Sequence, residues 1–260
     1  MLHIESVGSG ADLVLLHGWA MHGGIFAPLT PLLAQHFRVH VVDLPGHGFS
    51  RDEIGDGDAV DAREWAARIA VVTPPAALWV GWSMGGLVAL HAALDTPAHV
   101  HGLVEIAESP RVLSAPDWPQ GVAPAALAEF GAGLQRDYRR AIARFLALEL
   151  VGSANAQSIL RDLKARAFER GAPALRVLVD GLRVLETSDL RARLHELSMP
   201  SLWIAGRRDR LISAAALRWS AQHSPAGTYL EIDSGHAPFL SHPAAVADAI
   251  VAFARELPQT

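Results

Sequence analysis

Val80-Gly81-Trp82-Ser83-Met84-Gly85-Gly86 sits between two unlike segments. Ahead of it, Ala76 to Val80 is a short apolar run that reads as a buried strand. Behind it, Leu87-Val88-Ala89-Leu90-His91-Ala92-Ala93 is rich in Ala and Leu and reads as a helix. The G-x-S-x-G pattern between them, with Ser83 at its centre, has the strand–turn–helix setting of a nucleophile elbow. Gly81 and Gly85 follow from sterics, because so tight a turn leaves no room for a Cβ on either side of the serine. The turn lifts the Ser83 hydroxyl clear of the sheet. It also puts the Met84 amide at a helix N-terminus, aimed at a developing oxyanion. A plain Gly/Ser turn closing a βα unit is the structural alternative.

Working outward, Leu13-Val14-Leu15-Leu16 is an apolar strand running into His17-Gly18-Trp19. In this architecture that position supplies the second oxyanion amide, here Trp19 N–H. His17 reads as a buried histidine bracing the loop. Strands are also expected over residues 2–7, Val39 to Val42, Val100 to Ile106, Ser201 to Ala205 and Thr228 to Ile232. Helices are expected over Ile25 to His36, Glu64 to Val72, Ala214 to His223 and Ala244 to Arg255. Alternating strands and helices predict an α/β fold, a mostly parallel sheet flanked by helices. Residues 111–186 hold several helical stretches and no convincing strand, so they predict an all-helical lid inserted between core segments 1–110 and 187–260. The insert carries +3 against −8 for the rest of the chain, within a total of −5.

A serine hydroxyl needs a base within hydrogen-bond reach, and the base needs an orienting acid. In this architecture the order is serine, acid, histidine, each past a strand end. Asp209 follows the strand Leu202 to Ala205, and His236 follows Tyr229 to Ile232. Both edges are where ligands bind in open α/β sheets. Glu108, past another strand end, is a rival acid, with a solvated loop charge or a partner for a lid arginine as its plainer role. No metal-binding pair lies on a helix, and no nucleotide-binding glycine loop occurs, so no cofactor and no metal are implied. The mild negative charge argues against nucleic acid. The N-terminus lacks signal-peptide features, no apolar run is long enough for a membrane, and there is no cysteine. A cytoplasmic monomer is expected.

Leu15-Leu16-His17-Gly18-Trp19, Val42-Asp43-Leu44-Pro45-Gly46-His47-Gly48-Phe49-Ser50, Gly81 to Gly86, Gly206-Arg207-Arg208-Asp209 and Gly235-His236-Ala237-Pro238-Phe239 together resemble the α/β-hydrolase superfamily over nearly the whole chain. More narrowly, Gly81-Trp82-Ser83, Ala143-Arg144-Phe145-Leu146-Ala147-Leu148 and His236 to Pro243 resemble the pimeloyl-[acyl-carrier protein] methyl ester esterases of biotin synthesis. That resemblance implies hydrolysis of a methyl ester on an acyl chain borne by an acyl-carrier protein. Trp19, Trp82, Phe145 and Met84 would then line an apolar channel. A single helix from about Ala132 to Leu150 would present Arg136, Arg140 and Arg144 along one face. Tyr138, Ile142, Phe145, Leu146 and Glu149 would fall mainly on another. Arg161 and Lys164 add a second basic pair. An arginine row would steer an acidic carrier protein, whereas Gln157 stands where such a lid would offer a further arginine. A broad carboxylesterase for small esters, and a non-catalytic binding protein on the same fold, remain alternatives.

Overall fold

The protein is described here from a computed structural model covering residues 1–55, 57–151, 156–167 and 169–258. The side chains of Tyr138, Glu149, Asp162 and Ala165 lie outside that description, and so does the expectation for Tyr138 and Glu149. Its centre is a sheet of β1 (Ile4–Gly8), β2 (Ala11–Leu16), β3 (Phe37–Val42), β4 (Ala77–Trp82), β5 (Val100–Ile106), β6 (Ser201–Gly206) and β7 (Gly227–Ile232). The spatial order is β1-β3-β2-β4-β5-β6-β7. β1 pairs antiparallel with β3, and the other neighbours are parallel. Parallel strands covered on both faces need continuous apolar sequence. β2 and β4 supply it, with Leu13 to Leu16 and Trp79 to Val80 fully buried.

Helices cover both faces: α1 (Thr30–Leu33), α2 (Ala62–Val72), α3 (Met84–Asp95), α8 (Ala214–His223), the short α9 (Pro238–Ser241) and α10 (Pro243–Glu256). Asp61 caps α2 by accepting from the amides of Arg63 and Glu64, and the Pro74-Pro75 pair follows its end. α3 is buried almost all round, which suits a helix made of Gly, Ala, Leu and Val. Between β5 and β6 stand α4 (Pro124–Arg136), α5 (Tyr138–Glu149), α6 (Ala156–Arg166) and α7 (Leu175–Thr187).

Two expected helices are broken. Over Ile25 to His36 the chain forms a 3-10 turn at Gly23–Phe26 and then the four-residue α1. Pro28 and Pro31 remove amides that a continuous helix would need. Phe26, Leu29 and Leu33 are nevertheless buried, so the apolar face survives the interruption. The helix expected from Ala132 to Leu150 ends at Arg136 and restarts at Tyr138. Asp137 leaves helical geometry (φ −154°, ψ 88°), and its carboxylate accepts from the Arg140 amide at 3.1 Å as the cap of α5.

The segment between α6 and α7 is tied to the core. The Arg170 guanidinium pairs with Asp43 at 3.3 Å and with Glu5 at 2.9 Å. His22 Nε2 donates to the Arg166 carbonyl at 2.9 Å while its Nδ1 accepts from the Gly24 amide. On α7, the Leu178 carbonyl accepts from Trp19 Nε1 at 2.9 Å.

Candidate active site

The strand order reverses at β2, which lies between β3 and β4. Loops leaving the C-terminal ends of β2 and β4 therefore diverge and open a crevice. Ser83 stands at the end of β4 with φ +53° and ψ −125°, a region that costs a non-glycine residue about 1–3 kcal/mol. Its amide donates to the Ile106 carbonyl at 3.0 Å, and its own carbonyl accepts from Gly86 and Leu87 at 2.7 and 3.1 Å. A Cβ on Gly81 would collide with the Gly85 carbonyl and Gly86 Cα. A Cβ on Gly85 would run into the carbonyls of Leu16 and His17. The glycines thus let α3 press against the end of β2, which brings the Trp19 loop beside the elbow. Met84 is the first residue of α3, where an amide has no acceptor within the helix.

His17 braces that loop. Its Nε2 accepts from the Leu44 amide at 2.9 Å, so Nδ1 carries the proton and donates to the Gly18 carbonyl at 2.8 Å. Burial, with His47 nearby, pushes its pKa down to about 3, so the ring stays neutral.

His236 and Asp209 come from the loops after β7 and β6. His236 Nδ1 donates to Asp209 Oδ2 at 2.8 Å. Asp209 Oδ1 accepts from the amides of Leu211 and Ile212 at 2.7 and 3.0 Å. Both side chains are buried. Trp82 Nε1 donates to the His236 carbonyl at 2.9 Å, and its ring packs against His236 and Phe239. A cavity of about 270 Å³ is lined by Ser83, His236, Trp19, Phe145, Phe130, Glu108 and Arg210 together with aliphatic side chains. The structure therefore brings Ser83, His236, Trp19 and Phe145 to one cavity, with Asp209 behind the histidine. Trp82, expected in the channel wall, is fully buried behind His236 instead, and the Met84 side chain likewise lies off the wall.

Arg140 and Arg144 line a separate groove of about 490 Å³ between α4 and α5, together with Arg136, Glu129 and Asp137. Ala126, Phe130 and Leu148 belong to both the groove and the cavity, so the two adjoin. Arg161 is exposed on α6 and lines neither.

Glu108 is neither a solvated loop charge nor the partner of His236. It is 1% exposed, and Glu105, three residues before it in β5, is completely buried. Among the described residues none of their four carboxyl oxygens meets a hydrogen-bond partner. Both fill the space beside Gly86 in the first turn of α3, where an added Cβ would collide with Glu105 Oε2 and with Glu108 Cβ and Cγ. Burial pushes both carboxyls well above the usual range; for Glu105 the neighbouring Glu108 adds to the effect, and for Glu108 the Ser109 backbone amide opposes it in part. A carboxyl raised in the folded state keeps its proton after the unfolded chain has lost it. Stability then falls as pH rises from the unfolded value near 4.3 toward the folded one. Glu105→Gln should accordingly raise Tm by at least ~3 °C at pH 8 and by much less at pH 4.5. Melts at both pH values check this, and an equal shift at both would mean that Glu105 does not titrate with folding.

Phe130 and Arg210 are lining residues that motif reading missed, and Glu108 is weighed there only as a rival acid. A glutamate inside the apolar strand Val-His-Gly-Leu-Val-Glu-Ile was the available signal for the buried pair.

The alpha/beta hydrolase family matches residues 13–249. The pimeloyl-[acyl-carrier protein] methyl ester esterase of Xanthomonas campestris pv. campestris (strain B100) is 51% identical over 258 residues, covering 99% of this chain and 100% of that protein. The protein of the same name from Stenotrophomonas maltophilia (strain R551-3) is 51% identical over 253 residues, covering 97% of this chain and 96% of its own. Among solved structures, a hydrolase from Oleispira antarctica superposes with a TM-score of 0.87 at 20% identity, over 97% of this chain and 94% of that one. A thermophilic esterase from Thermogutta terrifontis gives 0.78 at 22% identity, over 98% and 93%. At those identities the two structures speak for the fold alone. The family match spans most of the chain and agrees with the sheet order, the elbow after β4 and two relatives alike end to end, so the chain belongs to the alpha/beta hydrolase family.

Proposed function

We propose that this chain is a serine carboxylesterase that hydrolyses the methyl ester of pimeloyl-[acyl-carrier protein] in biotin synthesis, as a cytoplasmic monomer. The observation that carries the chemistry is the convergence of Ser83 and His236 on one cavity, with the His236 ring held by Asp209 at 2.8 Å. Ser83 Oγ attacks the ester carbonyl while His236 takes its proton. Asp209 fixes the imidazole with Nδ1 protonated, so that Nε2 acts as the base. The amides of Trp19 and Met84 hold the oxyanion. His236 returns the proton to the departing methoxide. It then activates a water that frees the acyl group from Ser83, releasing the carboxylate.

The substrate assignment rests on the names of relatives about 51% identical over the full chain. It is supported by the groove that adjoins the cavity. Core segments 1–110 and 187–260 carry the site, and the lid 111–186 carries the groove. Arg136 ends α4, and Arg140 and Arg144 lie one turn apart on α5. Their field favours a substrate attached to an acidic protein, and Phe130 and Leu148, which line both groove and cavity, put a carrier docked in the groove beside the cavity that holds Ser83. Glu129 and Asp137 on the same groove offset part of that charge. Arg161 and Lys164, exposed on α6, extend the basic surface of the lid.

The double variant Arg140→Ala, Arg144→Ala tests this reading. It should lower kcat/KM for pimeloyl-carrier-protein methyl ester about tenfold or more, roughly 1–3 kcal/mol of charged contacts. Turnover of a short neutral ester should fall far less. Wild-type activity on the carrier substrate should weaken with added salt, and the variant's should respond less. Arginine stems also pack, so a thermal melt accompanies the assay. Equal losses on both substrates would indicate a damaged lid. No loss on the carrier substrate would favour a general carboxylesterase.

A further inference from the structure

The cavity beside Ser83 has one buried polar side chain that ester hydrolysis does not use. Its described wall is apolar apart from Ser83, His236, Glu108 and Arg210. Arg210 is exposed, and Ser83 and His236 have their chemical roles. Glu108 is 1% exposed, and among the described residues the one donor bearing on its carboxyl is the Ser109 backbone amide, which leaves the carboxyl's own O–H unmet. Behind it Glu105, also without a hydrogen-bond partner among the described residues, closes on the same glycine, and the one cationic side chain on the cavity wall is the exposed Arg210. A carboxyl in such surroundings keeps its proton and offers one O–H donor and one carbonyl acceptor. Leaving that donor unmet costs about 1–3 kcal/mol unless something in the occupied cavity takes it. The terminal torsion of glutamate is broad, so the O–H can swing toward the cavity without moving the rest of the side chain.

We propose that Glu108 forms a substrate-binding subsite that donates a hydrogen bond to an uncharged carbonyl oxygen of the substrate other than the one being cleaved. The chemical class is an ester, thioester or amide carbonyl elsewhere on the acyl chain. The scissile carbonyl is taken by the Trp19 and Met84 amides, and its alkoxy oxygen receives the proton from His236. A free carboxylate fits this corner poorly, since it would lose its hydration among apolar walls with only the exposed Arg210 to compensate. The inference rests on the proposed ester hydrolysis at Ser83, and an acyl chain with a carbonyl at each end is the kind of substrate it selects.

The test compares dimethyl pimelate with methyl octanoate, which is similar in length and lacks the second carbonyl. The full chain is used as wild type, Glu108→Gln and Glu108→Leu. Wild type should prefer the diester about tenfold or more in kcat/KM, beyond the factor of two for its paired ends. Glu108→Leu should lose most of that preference, mainly through KM for the diester. Glu108→Gln should keep most of it, because an amide N–H still donates. Glu108→Met serves in place of the leucine variant if that variant does not fold. The subsite is overturned if wild type shows no preference, if the apolar variants keep the ratio, or if glutamine behaves like leucine. Failure of wild type to cleave either ester, or cleavage of both by Ser83→Ala, would overturn the hydrolase reading itself and the subsite with it.

Discussion

Ser83→Ala is expected to lower kcat on a short p-nitrophenyl ester by several orders of magnitude, leaving only what the oxyanion amides and substrate binding supply. The substitution removes one oxygen and keeps the Cβ, so the strained backbone at φ +53° is unchanged. The glycines that shape the turn are also untouched. The variant should therefore melt close to wild type, and lost activity cannot be assigned to lost structure. Covalent labelling by a fluorophosphonate should disappear with it. Retention of more than a few per cent of activity in folded protein would rule out Ser83 as the nucleophile.

Asp209→Asn is expected to cost on the order of 10⁴ in kcat. The surroundings of the carboxylate say why. Oδ1 accepts from the amides of Leu211 and Ile212, and Oδ2 accepts from His236 Nδ1. An asparagine must keep its oxygen toward the two amides, so its NH₂ faces the imidazole. Nδ1 then becomes an acceptor, the proton moves to Nε2, and the ring can no longer take a proton from Ser83. Glu108→Gln should cost far less, because that carboxyl is absent from the hydrogen bonds of His236 to Asp209. The reverse ranking of the two variants would move the acid role to Glu108.

The parts that were legible in sequence are those where backbone sterics or strand order leave few choices. Gly81 and Gly85 announce the elbow because any side chain there would meet another backbone. Asp209 and His236 follow strands whose apolar runs are unmistakable. Asp137 was harder, since an aspartate between two amphipathic stretches is equally compatible with an exposed helical position and with a cap. Over residues 25–36 the apolar spacing alone reads as one helix, and Pro28 and Pro31 are the signal in the sequence that it is broken. Trp82 misled because adjacency to a serine in sequence is not adjacency in space. Ser83 leaves the strand in a left-handed turn, and Trp82 stays below it under the histidine. Glu108, from its loop position, read as a rival acid or else a solvated charge or a lid-arginine partner, whereas the packing of α3 onto β5 encloses it.

The sheet order also bears on how the chain is made. β5 pairs with β4 on one side and β6 on the other, yet the whole lid lies between β5 and β6 in sequence. As the polypeptide leaves the ribosome, the first five strands can assemble while the far edge of β5 stays unpaired. That edge is mostly apolar, with Glu105 its one acid and no proline, and in the finished protein it lies in the middle of the sheet, so it lacks the row of charges and prolines that protects a permanent edge. It stays open until the lid and then β6 have been synthesised, the interval in which a nascent chain is most prone to pair with another. Asp209 and His236 arrive after the same interval, so the nucleophile is made long before its base.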